Sequence, residues 1–204
     1  MTLQRSLEIM FPKLFEFDAL AVPPPTRQGK SVAMVDTTIA TSFTAEARAE
    51  LRQAVSGLDK SVHIASRGAF SMHQLAFHIL GLTGPAQLFA TTWAINEDVV
   101  SLLLRAQQQG LLTGVHFLFD WRVRKYKPKA YALASSNFTT HVVSLHAKVC
   151  VIQNEQHSVA VVGSANWTRN SKIEAYYVCV DKDVANFWRQ FIDEQIQRGA
   201  AERN

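Results

Sequence analysis

The chain has 204 residues, of which 48% are hydrophobic and 19% charged. That balance describes a globular chain with one sizeable core and excludes a disordered or low-complexity one. A net charge of +4 and a pI near 9.2 lean toward a polyanionic partner without naming it.

No uninterrupted apolar stretch reaches membrane-spanning length. The opening MTLQRSLEIMFPKLF lacks the charged start, apolar block and small-residue cleavage site of a secretion signal. A cytoplasmic, reducing location is therefore the expectation. Cys150 and Cys179 both fall in apolar runs and read as buried reduced thiols rather than a disulfide or metal site.

Residues 1–45 read as an appendage that packs on the main domain or on a protein partner. Leu3, Leu7, Met10, Leu14 and Phe15 have helical spacing broken at Pro12, and Val22-Pro23-Pro24-Pro25 is a stiff extended linker. Residues 46–204 form the main domain. A helix runs from Ala45 to Val55 with Thr44 as its cap. A strand follows at 61–66, a helix at 72–82, a strand at 86–93, an amphipathic helix at 97–109 capped by Asn96, and a strand at 114–121. The second half holds the strand-like runs HVVSLHAKVCVI, SVAVVGSANW and EAYYVCV, with a hairpin connection at Gln153–His157 and a closing helix over 184–196. Strands alternating with helices predict an α/β sandwich with a mixed β-sheet flanked by helices.

Two pairs in this second half carry chemistry. His146 and Lys148 lie two apart in one run, and Ser164 and Asn166 lie two apart at the end of the next. On a strand, side chains two apart share a face. An imidazole, an ammonium, a hydroxyl and an amide on neighbouring strands suit a tetrahedral phosphate. A lone histidine in a strand is usually structural, but Lys148 on the same face is expensive to bury without an anion.

His146-Ala147-Lys148, then Gly163-Ser164-Ala165-Asn166, then Glu174 ahead of AYYVCV resembles the signature of the phospholipase D superfamily. The resemblance covers about residues 45–200 and implies the phospholipase D-like α/β sandwich. The family's aspartate falls at Gln153, and the connection to Gly163 is about three residues longer than usual. By resemblance, His146 attacks phosphorus to form a phosphohistidine, and a second histidine protonates the leaving oxygen and then activates water. Lys148 and Asn166 hold the non-bridging oxygens, Ser164 supports them, and Glu174 fixes the imidazole tautomer. No metal or other cofactor is implied. Because the motif occurs once, the resemblance implies a homodimer that assembles one shared site across a two-fold axis.

The run WRVRKYKPKAY places Arg122, Arg124, Lys125 and Lys127 among Trp121, Tyr126 and Tyr131. It reads as a nucleic-acid contact, or as a solvated connection between strand and helix. Trp167 and Arg169, just past the second motif, are placed at the pocket mouth or in a capping loop. The resulting expectation is a nuclease acting on DNA or RNA. A hydrolase or transferase acting on phospholipid or another phosphodiester, and a catalytically weak phosphate- or nucleic-acid-binding protein, stay open beside it.

Overall fold

The computed structural model describes residues 45–169 and 171–201. The stretch 1–44, with its proline-rich linker and the Thr44 cap, lies outside the described residues. The elements are α1 (Ala45–Ala54), β1 (Val62–Ser66), α2 (Met72–Thr83), β2 (Ala86–Thr92), α3 (Glu97–Gln108) and β3 (Leu112–Asp120). The chain continues through α4 (Trp121–Tyr126), α5 (Pro128–Ser135), β4 (Thr139–Val143), β5 (Val149–Gln153), β6 (Ser158–Gly163), β7 (Glu174–Cys179) and α6 (Lys182–Ala201).

All seven strands join one mixed sheet in the order β1-β7-β6-β5-β2-β3-β4. The pairs β2–β3 and β3–β4 are parallel and the remaining pairs antiparallel. The central strands are apolar without a polar face because both faces are covered. Leu88, Ala90, Cys150 and Ile152 belong to one buried cluster, shared with α1, α2, α3 and α5. Their neighbours Phe89, Val149 and Val151 belong to a second cluster under α6, with Ala185 and Ile192. Cys150 and Cys179 are free, buried and in different clusters, and burial pushes the Cys150 thiol up.

Two apolar runs are shorter as strands than their sequence indicates. HVVSLHAKVCVI is split into β4 and β5, with residues 144–148 in neither. The reason is topological. β4 and β5 are separated in the sheet by β3 and β2, a lateral distance of about 14 Å at strand spacing. Residues 144–148 make that crossing, over the ends of β2 and β3. SVAVVGSANW likewise leaves the sheet at Gly163. There the main chain of β7 comes close: a Cβ on Gly163 would sit 2.6 Å from Ala175 O. The β5–β6 hairpin is closed by Asn154, whose Oδ1 accepts from Gln156 N at 3.0 Å and His157 N at 2.8 Å.

His73, in the first turn of α2, is only 3% exposed and its Nδ1 lies 2.8 Å from Ser71 Oγ. Burial lowers its pKa from 6.5 to about 4, with Asp98 opposing and Arg169 adding to the shift. The folded state therefore binds fewer protons here than the unfolded chain between those values, so stability falls as pH falls through that window. The loss amounts to roughly 3 kcal/mol. Urea unfolding at pH 7 and pH 4.5 should show this acid destabilisation in the native chain. It should be clearly smaller in His73→Gln, whose side chain does not titrate.

Candidate active site

The crossing segment is fixed from below by the strand ends it passes. Asp120, the last residue of β3, accepts from Leu145 N at 3.1 Å through Oδ2. Thr91, near the end of β2, donates to Ala147 O at 2.8 Å and accepts from Val149 N at 3.0 Å. From the other side Gly163 N donates to Lys148 O at 3.0 Å. His146 and Lys148 thus flank a tethered residue on the irregular segment just ahead of β5, rather than standing on a strand. Both nevertheless line one cleft.

The second motif enters that cleft from the turn after β6. Ser164 N donates to Ala175 O at 3.0 Å, Ala175 N donates back to Ser164 Oγ at 3.0 Å, and the Ser164 hydroxyl donates to Glu174 Oε2. Asn166 Oδ1 lies 3.1 Å from Thr92 Oγ1, which fixes the amide plane at the cleft wall. The open cleft has a volume of about 560 Å³ and is lined by His146, Lys148, Ser164, Asn166 and Glu174 together. Trp93, Lys172 and Trp188 line it as well.

Its electrostatics favour an anion. Lys148 is 7% exposed, and its Nζ donates to His146 O at 2.9 Å and lies 3.5 Å from His146 Nε2. None of the ion pairs among the described residues involves it. Burial lowers the Lys148 pKa from its ordinary value, Glu174 opposes the shift, and Arg122 adds to it. The Trp93 ring is the shared wall: Arg122 Cζ lies 4.5 Å from its centre, Lys148 Nζ 5.0 Å, and the His146 ring 5.0 Å. Among the described residues no group of three or more His, Cys, Asp or Glu is placed to hold a metal ion.

The remaining residues singled out by sequence fall in different places. Arg122 is half-buried on α4 and reaches the cleft's Trp93 wall. Arg124, Lys125 and Lys127 are exposed on α4 and at the α4–α5 junction, so the basic run is two short helices rather than a loop. Trp167 is in the core and not at the mouth: it is 0% exposed, and its ring meets Phe117 edge-on at 5.2 Å. Its backbone is held by Ala94 O and Asn96 N. Arg169 does not line the cleft and lies 3.5 Å from Asp98 Oδ2. Gln153 stands at the far end of β5 from Lys148 and donates to Ser158 Oγ at 3.0 Å and Asn186 Oδ1 at 2.8 Å. Its amide ties the hairpin to α6 and adds nothing to the cleft wall.

Asp120 is a support of the cleft that the sequence did not reveal, as are Thr91, Trp93 and Trp188. Asp120 is fully buried. Oδ1 accepts from Arg122 N at 3.0 Å and from Arg122 Nε at 2.6 Å, while Oδ2 holds Leu145 N. Burial by itself would raise its pKa. The two backbone N–H groups and the Arg122 guanidinium outweigh burial and hold the carboxyl below its ordinary value. An aspartate between a strand and a short helix is a readable N-cap, but its reach to residue 145 is not in the sequence.

No family model and no curated protein matches the chain in sequence. Solved structures do match in fold. NucT from Helicobacter pylori is 13% identical with a TM-score of 0.50, over 68% of this chain and 97% of that one. Polyphosphate kinase from Porphyromonas gingivalis is 14% identical with a TM-score of 0.52, over 70% of this chain and 27% of the kinase. The likeness is one of fold, and it bears out the α/β sandwich with a mixed sheet flanked by helices expected from the sequence.

Asp120→Asn removes the charge that holds Arg122 and weakens the tie to Leu145. Urea unfolding at pH 7 should show a loss of about 1–3 kcal/mol. Because the folded pKa is the lower one, this stabilisation is present above the ordinary value of 3.8 and is lost as pH falls below it. The difference between native and variant chains should therefore shrink in acid.

Proposed function

We propose that this chain is a phosphodiesterase of the phospholipase D type that cleaves nucleic acid through a covalent phosphohistidine. The observation that carries the reading is the convergence of His146, Lys148, Ser164, Asn166 and Glu174 on one open cleft. A buried ammonium without a paired carboxylate is a standing cost unless an anion joins it. Lys148 makes no ion pair among the described residues, and a phosphodiester is such an anion.

In the first step His146 attacks phosphorus, an N–P bond forms, and the P–O bond to the leaving oxygen breaks. A second imidazole gives that oxygen its proton. The same imidazole then takes a proton from water, whose oxygen attacks phosphorus and returns His146 free. Lys148 and Asn166 carry the charge on the non-bridging oxygens, where stabilisation counts most. Ser164 and Glu174 brace one another at the cleft wall.

The second imidazole is supplied by a second copy of the chain. Support for this comes from α6 and the turn before β7. Trp188 lines the cleft, its ring centre lies 5.4 Å from that of Phe187 and 5.9 Å from that of Phe191, and these flanking rings are 60% and 40% exposed. Ile173, between the cleft residues Lys172 and Glu174, is 74% exposed. Apolar surface grouped beside a half-equipped cleft suits a self-complementary two-fold contact. Basic charge and the cation–aromatic run favour nucleic acid over phospholipid. Among the described residues no helix is long and apolar enough to cross a membrane.

The test is cleavage of labelled single- and double-stranded DNA and RNA in EDTA. The native chain should cleave, and His146→Ala should lose about a thousandfold or more of the rate. Phe191→Glu, which puts charge on the apolar face, should shift the chain to monomer in sedimentation and abolish cleavage. A folded dimer that cleaves no nucleic acid would overturn the reading and turn attention to other diesters or to phosphate binding alone.

A further inference from the structure

From the cleft, aromatic rings and cations continue outward in unbroken contact. Arg122 Cζ stands 4.5 Å from the centre of the cleft's Trp93 ring and 5.7 Å from that of Trp121. Lys125 Nζ stands 5.5 Å from the Trp121 ring and 5.2 Å from the Tyr126 ring. The two rings have centres 6.3 Å apart and planes inclined at 47°. Trp121 is 42% exposed and Tyr126 61%.

A solvated basic helix face does not have this form. Its cations extend into water and its aromatic residues turn inward. Here α4 follows the site strand β3 directly, and its first and last residues are rings left open to solvent. Asp120 anchors the near end by holding Arg122 at 2.6 Å. Duplex DNA presents phosphates to such a surface but keeps its base faces stacked, so the rings would find no partner. A single strand presents phosphates and unstacked bases together, and aromatic rings bordered by cations match that pairing.

We propose that α4 is a single-strand track. Bases stack on Trp121 and Tyr126 while Arg122 and Lys125 follow the phosphates, which leads the strand past Trp93 to His146. The direction of the track rests on the phosphodiesterase reading of the cleft. The track itself rests on the rings and cations of α4.

The test is fluorescence-anisotropy binding to the full chain carrying His146→Ala, so that probes stay intact. The probes are labelled oligothymidylate, oligouridylate and a blunt DNA hairpin. Either single strand should bind more tightly than the hairpin, and the stronger of the two identifies DNA or RNA as the preferred polymer. Adding Trp121→Ala with Tyr126→Ala should weaken single-strand binding by about tenfold or more and leave its salt dependence unchanged. Trp121→Phe with Tyr126→Phe should retain most of the affinity, which a merely structural role in α4 would not predict. Lys125→Ala should lower the slope of log K against log salt by about 0.7.

A hairpin bound as tightly as the single strands, or a double alanine variant that binds like its parent, overturns the proposal. Hydrolysis of bis(p-nitrophenyl) phosphate by the native chain is measured in parallel. Hydrolysis without single-strand binding overturns the track alone. Ring-dependent single-strand binding without hydrolysis supports the track and overturns the catalytic reading.

Discussion

The crossing of residues 144–148 over the ends of β2 and β3 is the constraint on which the site depends. An irregular segment above a sheet has backbone donors and acceptors that the ladder does not pair, and each needs another partner. Thr91 and Asp120 supply these from the two strands being crossed. Asp120 does so while fully buried, where a carboxylate is stable only because two backbone N–H groups and a guanidinium surround it. The same atoms that settle that charge set the position of His146. Open α/β sheets commonly bind ligands beyond the carboxyl ends of parallel strands, and here the parallel strands β2, β3 and β4 end at the crossing segment.

Trp93 extends the constraint from backbone to charge. Two cations and an imidazole gather at its ring, and the two cations are near enough to disfavour one another. The ring's π face moderates part of that cost. Asp120 absorbs the Arg122 charge on one side, while Glu174 is shared with Ser164 on the other. Lys148 remains buried without an ion pair among the described residues. The arrangement leaves a buried ammonium at the cleft wall, the feature on which the proposed binding of a phosphodiester rests.

The α/β sandwich was legible because apolar periodicity is strong in the elements that build it. Helix α2 and helix α3 match the expected 72–82 and 97–109 to within a residue, and β1 and β7 fall where their runs predict. The five residues His146, Lys148, Ser164, Asn166 and Glu174 were legible because their types and spacing are themselves a chemical statement. The breaks in the runs were not. An apolar stretch carries no mark of where its ladder partner ends, so HVVSLHAKVCVI reads as one strand although it serves two that lie far apart in the sheet.

Burial of aromatic residues was equally hidden. Trp93 and Trp167 each follow an apolar run, yet one forms the cleft wall and the other fills the core against Phe117. Gln153 stands at the motif's aspartate position by sequence, yet it holds the hairpin to α6 at the far end of β5. The sequence by itself determined the layered architecture and the chemistry of the central cluster, since both are carried by residue type at short spacing. Only the tertiary structure decided which residues support that cluster, because Thr91 and Trp93 at the end of β2, Asp120 at the end of β3 and Trp188 on α6 meet it only when the sheet is assembled.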